Sequence, residues 1–117
     1  MRKSDSINKM EFRKERMTAL VKDVAASFLK SKSRPGILIS ATRVDMSKDF
    51  KNATVFVTVF PEKTENEVLI GLREKNWELR NYAKGRLKIK FLPSFRFELD
   101  KGEKARQRMQ VILNEKE

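Results

Sequence analysis

Eight residues in the middle of the chain, Ala53-Thr-Val-Phe-Val-Thr-Val-Phe60, form a β-rich run. On a strand successive side chains point to opposite faces, so Ala53, Val55, Val57 and Val59 share one face and Thr54, Phe56, Thr58 and Phe60 the other. Pro61 ends the run. A lone strand is not stable in water, so neighbours are required, and the sequence supplies two. Ile37 to Met46 is a second β-rich run, joined to the first by the polar stretch Ser47-Lys-Asp-Phe-Lys-Asn52, which reads as a hairpin with a longish loop. From Leu87 to Leu99 the alternation is strict, interrupted only by Leu92. Leu87, Ile89, Phe91, Pro93, Phe95, Phe97 and Leu99 face one way and Arg86, Lys88, Lys90, Ser94, Arg96 and Glu98 the other, with Pro93 marking an edge or a bulge.

The remaining segments read as helices. Met17, Leu20, Val21, Val24 and Phe28 recur at helical spacing, which predicts an amphipathic first helix running to about Lys32 and stopped by Arg34-Pro35-Gly36. Thr64-Glu-Asn-Glu67 has the form of a capping box and predicts a second helix through about Glu74. Asn76 caps a third, with Glu78 in its first turn and Gly85 as its stop. Asp100 and Glu103 resemble the start of a short final helix carrying Met109, Ile112 and Leu113. The expected class is α+β, in the order α-β-β-α-α-β, with a three-stranded sheet packed against helices and a C-terminal helix after it. At 117 residues this is one domain, 1–117, with unordered ends at about 1–10 and 115–117.

Charge narrows the function. The net charge is +11 and its placement is uneven. Residues 1–34 hold ten Lys/Arg against four Asp/Glu, and residues 77–97 hold six against one. Two stretches therefore supply nearly all the excess, and a fold that joins them makes one basic face that attracts a polyanion, above all nucleic acid. No apolar run approaches the ~20 residues of a spanning helix, so no membrane role is expected. The absence of Cys is compatible with the cytoplasm. With no His either, the commonest general base, the thiol nucleophile and most zinc sites are excluded. Asp45 and Asp49 fit turn formers better than a catalytic or metal-binding pair. The expectation is no enzyme, no catalytic or metal-ligating residue, no cofactor, no small-molecule substrate, and a monomer.

The ordered set Val44-Asp-Met-Ser-Lys-Asp-Phe-Lys-Asn-Ala-Thr-Val-Phe-Val57, Leu79-Arg80 and Leu87 to Asp100, with the basic helix Phe12 to Leu29 upstream, resembles the ribosome-binding factor A family. The resemblance covers most of the chain and implies a type II KH-like domain. It further implies an assembly factor that binds the maturing small ribosomal subunit and its rRNA, assists late rRNA processing and folding, and is associated with growth in the cold. The alternative is a general KH-like RNA-binding or nucleoid-associated protein, and a protein adaptor with incidental charge comes third. KH domains clamp single strands with a Gly-x-x-Gly loop, and this sequence has none. The family typically carries an Ala-x-Gly kink between the two helices. Here that position falls on Lys75-Asn76-Trp77, while Ala83-Lys84-Gly85 is out of register. Asn tolerates left-handed backbone, so Asn76 is expected to replace the glycine, and Asn76→Gly to cost little.

The residues expected to touch RNA are Arg13 and Arg16 of the first helix, Lys75, Asn76, Arg80 and Lys84 around the kink, and Arg86, Lys88 and Lys90 entering the last strand. Arg43 and Lys48 beside the hairpin loop are weaker candidates. So is Trp77, for which burial in the core is favoured over base stacking, because Trp is highly buried on average. Phe12 and Tyr82 are open either way. Phe56, Phe60, Phe91, Phe95 and Phe97 are assigned to core or half-buried sheet.

Overall fold

The computed structural model describes residues 2–116, and side chains from 12 to 113; the expected unordered ends lie outside the described side chains. The elements are α1 (Arg2–Lys32), β1 (Leu38–Met46), β2 (Asn52–Phe60), α2 (Glu65–Glu74), α3 (Asn76–Arg86), β3 (Ser94–Leu99) and α4 (Lys101–Lys116), the expected order with the final helix after it. β2 is the central strand, antiparallel to β1 and parallel to β3. Because β2 and β3 run the same way, the chain must return across one face of the sheet, and α2 and α3 make that return.

One face of the sheet is closed and the other largely open. Ala53, Val55, Val57 and Val59 are buried with Phe95 and Phe97 of β3, and they meet Val21, Ala25, Phe28 and Leu29 of α1, Leu69 and Leu72 of α2, and Leu79 and Ala83 of α3. On the other face Thr54, Phe56 and Thr58 are half-buried, while Phe60, expected in core or half-buried sheet, is exposed at the end of the strand. β1 switches parity within its length: Ile39 is buried, then Val44 and Met46. A bulge between Ala41 and Arg43 inserts Thr42 as the extra residue and returns the later apolar side chains to the core.

The bulge also fixes α4. Thr42 Oγ1 donates to Asp100 Oδ2 at 2.5 Å, the Arg43 Nε lies 3.6 Å from the same oxygen, and Asp100 Oδ1 accepts the Glu103 N–H at 3.0 Å as a helix N-cap. The Thr42 hydroxyl, then the Glu103 amide and the Arg43 charge, hold the Asp100 carboxyl below the usual carboxylate range. Farther along, Arg108 donates twice to Glu62, and Lys104 pairs with Glu65. The apolar residues Met109, Ile112 and Leu113 are exposed.

Three local expectations are corrected. β3 begins at Ser94, seven residues after Leu87. The Leu87 N–H turns back to Ala83 O at 2.7 Å to finish α3, Pro93 has no N–H to give, and the first amide to join β2 is that of Ser94, on Lys51 O at 2.8 Å. Phe91 consequently falls in the connecting segment and is exposed. Thr64 does not cap α2. It closes a 3-10 turn in helical conformation, and its hydroxyl donates back to Pro61 O at 2.7 Å. Gly85 lies inside α3, which stops one residue later when Leu87 turns extended. The turn at Arg34-Pro35-Gly36 is as expected: Gly36 sits at φ 88° and Arg34 and Ile37 exchange backbone hydrogen bonds, the geometry for which Pro-Gly is suited.

Candidate nucleic-acid interface

The interface is built on the antiparallel pairing of α1 and α3. Lys32 near the end of α1 forms an ion pair with Glu78 near the start of α3. One turn and more back along α1, Ser27 Oγ lies 2.7 Å from the Tyr82 hydroxyl, and the Phe28 and Tyr82 rings meet edge to face with centroids 5.5 Å apart. The same register carries the end of α3, and the segment after it, towards the N-terminal half of α1. On α1, Arg13, Arg16 and Leu20 fall on the same flank as Ser27, because residues three, four and seven apart share a helix side. At Ser27 that flank meets α3, and Arg13 and Arg16 continue it toward the N-terminus. The helices that carry most of the two basic stretches, distant in sequence, are thus packed against each other.

On α3, Leu79 and Ala83 point into the core, so Trp77, Arg80 and Lys84, at spacings of three and seven, form an outward stripe. Arg86 follows, its guanidinium stacked 3.5 Å from the centroid of the Tyr82 ring and donating to Tyr82 O. Lys88 and Lys90 are exposed on either side of the half-buried Ile89. Among the described residues, none of Arg13, Arg16, Lys75, Arg80, Lys84, Lys88 and Lys90 forms an ion pair, whereas Lys32, Arg43, Arg73, Arg96, Lys104, Arg106 and Arg108 all do. The candidate cations of this face are thus uncompensated, while several elsewhere, Arg73, Lys104 and Arg108 among them, tie one element to another.

The weaker candidates divide. Arg43 lies over the Phe56 ring at 3.8 Å and pairs with Asp45 and Asp100, on the open face of the sheet, away from the α1–α3 surface. Lys48 is exposed in the hairpin loop without an ion pair among the described residues. Its loop is organised by Asp49, which accepts from the Ser47 hydroxyl and the Lys51 amide; those two bonds, with the Lys51 charge, lower its pKa. Turn formation is the role expected of Asp49. Phe50 takes the left-handed conformation there, at φ 60°.

The kink differs from expectation in two ways. Asn76 is neither left-handed nor a cap: Lys75 occupies the cap position with φ −105°, and Phe50 is the one non-glycine residue at positive φ among the described residues. Asn76 instead turns inward, its Nδ2 donating to Phe95 O of β3, and its Oδ1 is buried with no partner among the described residues. Its donor is spent on the fold, and its place at the kink is that of an anchor. Trp77, expected in the core, is 60% exposed. Trp77 stands two residues before the buried Leu79, which at ~3.6 residues per turn puts it on the opposite side of α3. Asn81, not selected from the sequence, lies one turn beyond Trp77 on the same stripe and is exposed; spacing four from an outward residue was the available signal. Phe12 is exposed, and Tyr82 is half-buried under Arg86.

The anchor gives a direct expectation. Asn76→Ala and Asn76→Gly both leave the Phe95 carbonyl without its donor and lower stability by about 1–2 kcal/mol, with glycine the worse because it also loosens the unfolded chain. Asn76→Asp, which sets a carboxylate against that carbonyl, costs more than either. Thermal melts of the three variants check this; a glycine variant as stable as the parent contradicts the anchor.

Among the described residues no group of three or more carboxylates is placed to hold a metal ion, and no helix is long and apolar enough to cross a membrane. A family model described as "Ribosome-binding factor A" matches residues 13–113. A Tropheryma whipplei (strain Twist) protein named Ribosome-binding factor A is 31% identical over 94 residues, which is 80% of this chain and 48% of that one, so the chain spans about half the length of that relative. Among solved structures, the crystal structure of ribosome-binding factor A from Thermus thermophilus superposes with a TM-score of 0.66 at 25% identity, over 74% of this chain and 93% of the other. A Thermus thermophilus homology model, fitted into the cryo-EM map of a 30S–ribosome-binding factor A complex, superposes with a TM-score of 0.61 at 24% identity, over 71% of this chain and 90% of the other.

Proposed function

The chain belongs to the ribosome-binding factor A family, and from that premise we propose that it binds the maturing small ribosomal subunit through the α1–α3 surface and assists late processing and folding of its rRNA. The observation that carries the proposal is the set of uncompensated cations on that surface. An unpaired Lys or Arg can neutralise a phosphate and so release counterions condensed on the RNA, whereas a cation already paired has less to gain. Arg13, Arg16, Lys75, Arg80, Lys84, Arg86, Lys88 and Lys90 position the protein on a folded RNA surface, with Lys48 at the hairpin loop as an outlying contact. Such contacts read shape more than sequence, in keeping with the missing Gly-x-x-Gly loop. The family membership, and the 30S complex into which a Thermus thermophilus member was fitted, support the small subunit as the partner. In this reading residues 1–117 act as one KH-like domain, a monomeric cytoplasmic factor without catalytic chemistry, cofactor or small-molecule substrate.

Sedimentation of the tagged protein through a sucrose gradient tests the proposal. Co-migration with free small subunits is the expected outcome. A spread over all nucleic acid supports a general RNA-binding or nucleoid-associated protein instead, and retention at the top of the gradient rules out both.

A further inference from the structure

We propose that Trp77 is a stacking platform for an unpaired RNA base, with Arg80 and Lys84 holding the phosphates beside it. The inference rests on the reading of this surface as an RNA interface and names the form of RNA it takes there: single-stranded rather than helical. An indole that is 60% exposed runs against the strong tendency of Trp to be buried. This one is also held in place, because the neighbouring Asn76 is fastened to β3 and Leu79, two residues on, is fully buried. A flat aromatic surface on a rigid support, beside cations that have no ion-pair partner among the described residues, is the arrangement by which single strands are bound without sequence preference. Residues 77 and 84 stand ~10 Å apart along the helix axis. That is about three steps of a stacked strand at ~3.4 Å each.

Asn81 adds an amide with a donor and an acceptor one turn from the ring, within the footprint of a base edge. A protein partner is the competing occupant, since Trp is also common at the centre of protein interfaces. The surroundings disfavour it. Such a centre is apolar and depleted of charge, while the exposed neighbours of Trp77 on this stripe are Arg80, Asn81 and Lys84, with Lys75 at the cap.

Trp77 is the sole Trp of the chain, so its emission reports on this site alone. Intact protein is titrated with a short unstructured oligonucleotide and, separately, with a blunt RNA duplex. The single strand is expected to quench the emission strongly, the duplex to bind with little quenching. Trp77→Ala is expected to weaken single-strand binding about tenfold or more. Duplex affinity and the salt slope should stay unchanged, and Trp77→Phe should keep most of the single-strand affinity. Unaltered single-strand binding by the Trp77→Ala variant, with the parent's salt slope intact, overturns the stacking role and leaves the RNA interface standing. Equal weakening on both RNAs also overturns it, and failure of the parent to bind either RNA overturns the interface itself. If the Trp77→Ala variant binds RNA normally but no longer co-sediments with small subunits, Trp77 contacts protein and the proposal is wrong.

Discussion

Raising monovalent salt from about 50 to about 200 mM is expected to weaken RNA binding by roughly a thousandfold. Besides Arg86, whose guanidinium is engaged with Tyr82, the surface holds seven Lys and Arg side chains with no internal ion pair among the described residues: Arg13, Arg16, Lys75, Arg80, Lys84, Lys88 and Lys90. Each phosphate contact contributes a log–log slope of roughly −0.7 with single-stranded RNA, so seven give about −5, and a fourfold rise in salt then costs about three orders of magnitude. A filter-binding or anisotropy series across that range measures the slope directly. A value near about −2 would mean that most of the seven never reach a phosphate, and a value near zero removes the electrostatic basis of the interface.

That surface was partly legible in the sequence, and the division has physical causes. Periodicity gave the buried faces: the alternation of Ala53, Val55, Val57 and Val59 and the helical spacing of Val21 and Phe28 both mark residues that the structure buries. Charge bookkeeping along the chain gave the two basic stretches, and the helices that carry most of them, α1 and α3, pack against each other. What failed depended on contacts between segments. The strict alternation from Leu87 to Leu99 is compatible with one long strand, but a parallel β3 can pair only where it lies beside β2, and its first ladder bond is the Ser94 amide on Lys51 O at 2.8 Å. Period two in the connecting segment is therefore not pairing, and Phe91 is exposed although the pattern assigns it inward.

The kink shows the same limit at a single position. Asn76 has the local qualities of a cap and of a left-handed residue, and a nearby backbone carbonyl of Phe95 outweighs both. Nothing in residues 70–80 signals that carbonyl, since it arrives from a strand nearly twenty positions later. Residue type alone puts Trp77 in the core, whereas its direction is set by the face of α3 on which Leu79 and Ala83 are buried. Thr64 failed similarly, because the sequence of a capping box does not reveal that a 3-10 turn precedes the helix and claims the hydroxyl.

Reversing Lys88 and Lys90 together to Glu is expected to abolish most small-subunit binding while leaving the fold nearly as stable as the parent. Both side chains are exposed and have no ion-pair partner among the described residues, and the half-buried Ile89 between them is untouched, so the stability change should fall within ~0.5 kcal/mol. The local field, however, changes by four charges where phosphates are proposed to sit. Reversal of Arg13 and Arg16 should have the same effect, because those residues continue the flank of α1 that meets α3 at Ser27. The control must alter net charge equally without breaking the fold. Arg106 and Arg108 fail that requirement, since Arg106 pairs with Glu103 and Arg108 with Glu62, and reversing them would set like charges together and loosen α4. Lys63 and Lys101 are exposed, have no ion-pair partner among the described residues, and lie in or beside α4, away from the α1–α3 surface. Binding to purified small subunits and thermal melts of the three double variants decide the matter. Loss for the first two pairs with retention for Lys63 and Lys101 places binding on the α1–α3 surface; equal loss for all three means that net charge alone is felt and the surface has no special part.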